Sequence, residues 1–255
     1  MTTTAVVRAA RDALGPAGPV LPVSFGPLPP VRRQRGAVRR LESAGYRAAW
    51  TKETVGDKDA FVQLAFLLAA TERMVFGTSV ANIWARAPQT AHAASAQLAE
   101  AYPGRFVLGL GGGYPEQAAS VGREFGRPLA TMRGYLERMD GETAPPAPAA
   151  AYPRVIGANG PKLVALAADI ADGAMPAMQP AAFTAATRHR LGPGKLLLTG
   201  LRVSPDSDPG QVTAGVGEHR AAGADHVLLM LPIGSDFAGG IDLLERLAPA
   251  LAGLA

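Results

Sequence analysis

Apolar and polar positions along this chain switch repeatedly between two patterns. Short runs with little in/out alternation, "VLPVSF" (20–25), "RAAWTK" (47–52), "MVFGTSV" (74–80) and "RFVLGLG" (105–111), read as strands buried on both faces. Between them apolar residues recur at helical spacing. One helix is expected from Val31 to Ala44, ended by Gly45, a second over "DAFVQLAFLLAATER", and a third over "PQTAHAASAQLAEAY", stopped by Pro103 and Gly104. The exchange resumes with a helix over 129–140, then strands over 154–158 and 173–177 flanking the helix "PKLVALAADIA". A helix through about His189, a strand over 195–203, a helix from Pro209 to Ala222, a strand over 225–231 and the helix "FAGGIDLLERLAPALAGL" finish the pattern.

Eight strands, each followed by a helix, over about 250 residues predict a TIM (β/α)8 barrel. A doubly wound open sheet is the other way to arrange the same elements. The Pro/Ala-rich stretch "GETAPPAPAAAYP" (141–153) reads as a surface crossover, because the alternation continues after it, so a single domain over 1–255 is expected. In such a barrel the site is built from the loops at the C-terminal ends of the strands.

Composition narrows the chemistry. Hydrophobic residues are 48% and charged residues 18%, ordinary for a folded soluble chain, and the absence of cysteine removes disulfides and thiolate metal sites. The four histidines, at 92, 189, 219 and 226, have no metal-binding spacing, so no metal is expected. No apolar run reaches the roughly 18 residues a membrane span needs, and a soluble, cytoplasmic protein without membrane partners is expected. The net charge of +4 comes mostly from arginine, densest in "VRRQRGAVRR" (31–40). As a helix this segment puts Val31, Val38 and Leu41 on one face and a solvated arginine surface on the rest. No aromatic residues interleave with the arginines, and no nucleic-acid partner is expected.

Three strand-end loops hold candidate chemistry. In "WTKETVGD" Glu53 is the only carboxylate placed at a strand end. In "GLGGGYPEQ" Gly109, Gly111, Gly112 and Gly113 leave the backbone bare for close approach of a flat or anionic ligand, while Tyr114 stands where a dinucleotide fingerprint needs its third glycine. In "IGANGPKLV" Gly157, Asn159 and Gly160 lead into a helix with Pro161 at its first position, whose free N–H groups suit phosphate or carboxylate. Leu163 after Lys162 excludes a P-loop, and Ala81 in "GTSVA" replaces the second glycine of a nucleophile elbow. The segment "MVFGTSVANIWARAP" is also unusual. It carries Thr78, Ser79, Asn82, Trp84 and Arg86 where a strand-to-helix connection needs only a few residues and a cap.

"ERMVFGTSVANIWARAP" followed by "LAEAYPGRFVLGLG", with "GYRAAW", "RPLATMRGYL", "GPKLVALAADIADGA" and "GADHV" in their order, resembles the bacterial-luciferase-like superfamily of flavin- and deazaflavin-dependent oxidoreductases. Within it the chain is most similar to the coenzyme F420-dependent oxidoreductases, from about residue 20 to the eighth strand. The resemblance implies a luciferase-like TIM barrel with a flavin or deazaflavin ring at its C-terminal mouth. It implies a bulge with a non-prolyl cis peptide at Ser79–Val80, with Ser79, Val80, Asn82, Gly111, Gly112 and Gly113 near the ring. Ala158, Asn159 and Gly160 would hold the cofactor phosphate, and Trp84, Arg86 and Glu116 would line the substrate pocket. Relatives commonly carry a histidine or acid after the second strand and a polar or acidic group after the fourth; Glu53 and Tyr114 occupy those places here as acid/base candidates.

The activity so implied is hydride transfer between coenzyme F420 and a small organic substrate. An FMN-dependent monooxygenase on the same barrel and a non-catalytic cofactor-binding protein are the other readings. A homodimer is implied too. Only about 22 residues separate the seventh and eighth strands, where relatives insert a longer covering segment, so the region is shortened and an open pocket, a changed substrate or reduced activity is expected.

Overall fold

The computed structural model describes residues 3–23 and 27–254. Its wall consists of parallel strands: β1 (Ala17–Pro19), β2 (Ala48–Thr51), β3 (Val75–Thr78), β4 (Ala81–Asn82), β5 (Phe106–Gly111), β6 (Arg154–Gly157), β7 (Gly173–Met175), β8 (Leu196–Arg202) and β9 (His226–Met230). The spatial order is β1-β9-β8-β7-β6-β5-β3-β2, and β4 continues the line of β3 by pairing with β5. The two ends of this row meet. Val20 bridges to Trp50, and the Leu21 N–H donates to the Trp50 carbonyl at 2.8 Å. The wall is therefore the expected TIM barrel, and the open sheet is excluded.

Helices α2 (Val31–Ser43), α3 (Ala60–Leu68), α4 (Pro88–Ala101), α6 (Pro128–Met139), α7 (Pro161–Ile170), α8 (Ala181–Leu191), α9 (Pro209–Ala221) and α10 (Phe237–Ala252) follow the strands, with a short α5 (Pro115–Ala119) after β5. Strand residues alternate between two cores, as the pleat demands. Phe76, Leu108, Ile156, Leu197 and Leu229 face the helices, while Trp50, Val75, Val107, Val155, Leu198 and Leu228 fill the barrel. A Cβ at Gly77 would overlap the Trp50 ring, so the glycine of "MVFGTSV" is there to admit the indole.

Several expectations shift. The first strand was read at 20–25; β1 lies at Ala17–Pro19, since its ladder with β9 runs from Ala17 to Pro19 and Pro22 has no N–H to extend it. Residues 24 and 25 of that reading lie outside the described residues. A helix α1 (Thr3–Leu14) precedes β1 and was not anticipated. Its Val7, Ala10 and Leu14, at helical spacing, join the barrel interior and close its N-terminal end. Arg11 fastens it there, donating to Asp225 at 2.7 Å and to the carbonyls of Pro193 and Lys195 at 2.9 and 3.0 Å.

The helix expected over 59–73 stops at Leu68, where the Arg105 guanidinium takes up the Leu68 and Thr71 carbonyls at 3.2 and 3.1 Å. On α2, Val31 is exposed, and Gln34 and Ala37 join Val38 and Leu41 on the buried face. Among the described residues no helix is long and apolar enough to cross a membrane.

Candidate functional site

At the C-terminal mouth the barrel holds a cavity of about 470 Å³, a size typical of small-molecule sites. Val80, Met175, Leu228 and Met230 form its apolar floor, Gly111, Gly157 and Gly200 leave its inner wall bare, and Lys52, Thr54, Tyr114, Asn159 and Ile233 stand around it.

The floor depends on the break between β3 and β4. The Ser79–Val80 peptide is cis, as the resemblance implied. On either side the backbone is tied to β2 and the loop after it: the Ser79 N–H donates to the Thr51 carbonyl at 2.7 Å, and the Val80 carbonyl accepts from the Glu53 N–H at 3.1 Å. Val80 thereby presents its side chain to the mouth. A Cβ on Gly111 would overlap it, which accounts for one of the glycines after the fourth barrel strand.

Glu53 is buried and fully engaged. One carboxylate oxygen accepts from the Ala60 N–H at 3.0 Å, the other from the Asn82 N–H at 2.8 Å. The Arg86 guanidinium donates to both oxygens, at 2.8 Å to Oε2. Arg86 also donates to Asp59 at 2.9 Å and lies 4.5 Å over the Phe61 ring. Burial alone would lower the Arg86 guanidinium; its bonds to Glu53 and Asp59 outweigh that and raise it above its ordinary value. Asp59, the cap of α3, is held below the usual carboxylate range because the Val62 N–H, Arg86 and the Phe61 N–H together outweigh its burial.

A second network shapes the glycine loop. The Asn82 side chain accepts from the Trp84 N–H at 2.9 Å and donates to Gln117 at 2.6 Å. The Trp84 indole donates to the Gly112 carbonyl at 2.7 Å. The odd polar residues of "VANIWARAP" thus tie the bulge to the loops on either side of it.

The α7 N-terminus lies beside the mouth. Asp59, Asp208 and Asp236 cap α3, α9 and α10 with side-chain oxygens, whereas α7, like α2, α4, α6 and α8, has no side-chain cap, its N-cap being Gly160. A Cβ at Gly160 would meet nothing within 4 Å. The preceding loop is pinned: the Asn159 Oδ1 accepts from the Ala177 N–H at 2.8 Å, and the Ala158 N–H donates to Met175 at 3.3 Å. Pro161 has no N–H and the Leu163 N–H donates to the Gly160 carbonyl at 3.1 Å, so in the first turn the Lys162 N–H is left open to an anion among the described residues.

The structure therefore brings Glu53, Ser79, Val80, Asn82, Gly111, Gly112, Gly113, Tyr114 and Asn159 to one cavity. Others of the expected residues lie off its surface. Arg86 sits behind Glu53 and Trp84 beneath the glycine loop, each drawn there by its hydrogen bonds, so neither lines the substrate space. Glu116 is exposed on α5, turned away from the mouth, Ala158 is buried behind Asn159, and Gly160 lies off the cavity surface at the start of α7. Lys52, Met175 and Met230 line the cavity without having been singled out. Lys52 was signalled only by its place at the end of β2. The methionines carried no signal, because their inward register depends on strand pairing.

Comparisons with known proteins give the same architecture. The family described as luciferase-like monooxygenase matches residues 6–193. A Mycobacterium tuberculosis protein provisionally named a coenzyme F420-dependent oxidoreductase is 31% identical over 184 residues, covering 60% of this chain and 52% of its own. The chain spans about half the length of the curated relatives it matches. An F420-dependent secondary alcohol dehydrogenase, solved with an F420–acetone adduct, superposes with a TM-score of 0.74 at 15% identity, over 92% of this chain and 98% of the other. The oxygenating constituent of 3,6-diketocamphane monooxygenase of Pseudomonas putida, solved with FMN, gives 0.70 at 12% identity, over 94% and 98%. At such identities the structural matches speak for the fold.

Proposed function

The chain belongs to the luciferase-like monooxygenase family, and from that premise we propose that it is a coenzyme F420-dependent oxidoreductase passing a hydride between the deazaflavin and a small organic substrate. The observation that carries this reading is the pairing of a glycine-walled, apolar mouth with an uncapped helix N-terminus at its edge. A relative and a solved neighbour whose names cite F420 support it.

The residues fit such a group. A Cβ at Gly157 would meet only the Leu110 carbonyl and the Val80 side chain, each at 3.7 Å, so the wall there is shaped by the missing side chain and not by crowding. Val80 and the bare Gly111 and Gly157 would face the flat ring, and the Lys162 N–H with Asn159 would hold its phosphate. When bound, the deazaflavin supplies the hydride chemistry. The chain supplies position. In this reading Glu53 clamps the bulge through the Asn82 N–H, and its committed oxygens make it a poor proton carrier. Tyr114, exposed at the rim, is then the acid/base candidate of the pair.

The FMN-bound neighbour favours a second reading, an FMN-dependent monooxygenase, since the same phosphate cradle serves either cofactor. Fluorescence titration with each cofactor names the one bound, and binding of neither overturns the reading. Turnover of reduced cofactor that needs oxygen would assign the monooxygenase; turnover without oxygen is the expected result.

Gly160→Asp separates the phosphate role from folding. Gly160 has φ −148° and open space around its Cβ, so aspartate fits and can cap α7 itself. Stability should hold or rise by a few tenths of a kcal/mol. The new carboxylate would occupy the open N–H and repel phosphate, raising the cofactor Kd at least tenfold; unchanged affinity would remove the loop from the site.

A further inference from the structure

The mouth holds an unmatched positive charge. Among the residues lining it the only charged side chains are Lys52 and Glu53. Glu53 is neutralised from behind by Arg86, with side chains only 1% and 10% exposed, so its charge does not serve Lys52. The neighbouring Lys58 is tethered, its Nζ donating to the Val23 carbonyl at 2.8 Å and to Asp57 at 3.4 Å. Lys52, half-buried where β2 ends, makes no side-chain hydrogen bond or ion pair among the described residues. Burial, and then the positive charge of Lys58, pull its amine below the ordinary lysine value. An ammonium partly desolvated at this apolar mouth without a counter-ion is a destabilised arrangement, and an anionic oxygen brought into the mouth would relieve it.

We propose that Lys52 is the specificity residue of this mouth and that the substrate is an apolar-bodied carboxylate whose anionic end pairs with the Lys52 Nζ. The apolar floor takes the body and the ammonium takes the head. No other cation lines the cavity among the described residues, so the orientation is fixed: carboxylate toward β2, the rest toward Leu228 and Met230. The inference rests on the mouth being the cofactor and substrate site. A charge-assisted hydrogen bond in a partly dry site corresponds to a preference of roughly ten- to a hundredfold over a neutral isostere.

The test is calorimetric titration of benzoate and of its neutral isostere benzamide into the wild-type chain, both cofactor-free and saturated with whichever cofactor binds. Benzoate should bind at least tenfold more tightly than benzamide in both forms. Lys52→Met should remove the preference, and Lys58→Gln should keep it. Lys52→Gln, shorter but neutral and still polar, serves as the second variant if Lys52→Met melts at lower temperature. Equal binding of the two probes by wild type, binding of neither, or a preference that survives in Lys52→Met overturns the proposal. Failure of the cofactor reading alone would appear as no cofactor binding with the benzoate preference intact in the cofactor-free chain.

Discussion

Replacing Arg86 by methionine should cost about 3–5 kcal/mol of folding stability and loosen the proposed cofactor site at the same time. The expected size follows from what is left behind. Glu53 would keep the Ala60 and Asn82 N–H groups but lose the guanidinium that donates to both of its oxygens. Its carboxylate, 1% exposed, would have only the more distant charge of Lys58 to oppose it. Methionine preserves much of the stacking on Phe61, so the lost volume is small and the effect is electrostatic.

A double-mutant cycle isolates that cause. Glu53→Gln alone leaves the guanidinium paired with Asp59 only, and the double variant Glu53→Gln with Arg86→Met removes both charges. Urea unfolding of the four proteins should place the double variant nearer to wild type than Arg86→Met. Costs that simply add, or an Arg86→Met penalty below about 1 kcal/mol, would show that the pair does not act as a unit. Because Glu53 holds the Asn82 N–H beside Val80, the single Arg86 variant should also bind cofactor more weakly, and the double variant should recover part of that loss.

The barrel was legible because its signal is repeated: eight apolar runs alternate with helix-spaced segments, and a one- or two-residue error at any boundary leaves the count intact. Where the reading slipped, a long-range contact decided. β1 is placed by its ladder with β9, more than 200 residues away, and no local pattern could choose 17–19 over 20–25. The helix α1 had the right spacing in Val7, Ala10 and Leu14, yet its purpose exists only once there is a barrel end to close.

The site divides in the same way. That Ser79, Val80, Asn82 and the glycines share one cavity was legible because backbone chemistry is written in local sequence. Trp84 and Arg86 stand out in the sequence as polar groups out of place, but the sequence could not say that both turn away from the mouth to hold its loops. Side-chain direction at a loop is set by partners from other strands. Lys52 shows the converse, an unremarkable residue that becomes conspicuous only when its neighbour Glu53 is seen to be paired elsewhere.

Acidification should destabilise the fold through His226. This histidine lies in the barrel interior with no exposed surface, its Nε2 accepting from the Trp50 indole at 3.0 Å and its Nδ1–H donating to the Gly15 carbonyl at 2.9 Å. Both bonds are made by the neutral ring. Burial pushes its pKa down to about 4, with the Gly15 carbonyl opposing only in part. In the unfolded chain the ring titrates near its ordinary value of about 6.5. The sign is therefore set: above that value neither state binds the proton and the stability is complete, whereas below it the unfolded state alone is protonated and gains. Stability should fall by about 1.4 kcal/mol per pH unit between roughly 6.5 and 4, about 3 kcal/mol in all, and then level as the folded ring titrates. His92 and His219 are also lowered by burial and add in the same direction, so the contribution of His226 must be read by difference. His226→Gln offers an acceptor to Trp50 and a donor to Gly15 without titrating. The gap in unfolding free energy between wild type and His226→Gln should change by about 3 kcal/mol between pH 7 and pH 4, to the disadvantage of wild type. A gap that stays constant across that range would mean that the ring takes up its proton inside the barrel as readily as in water.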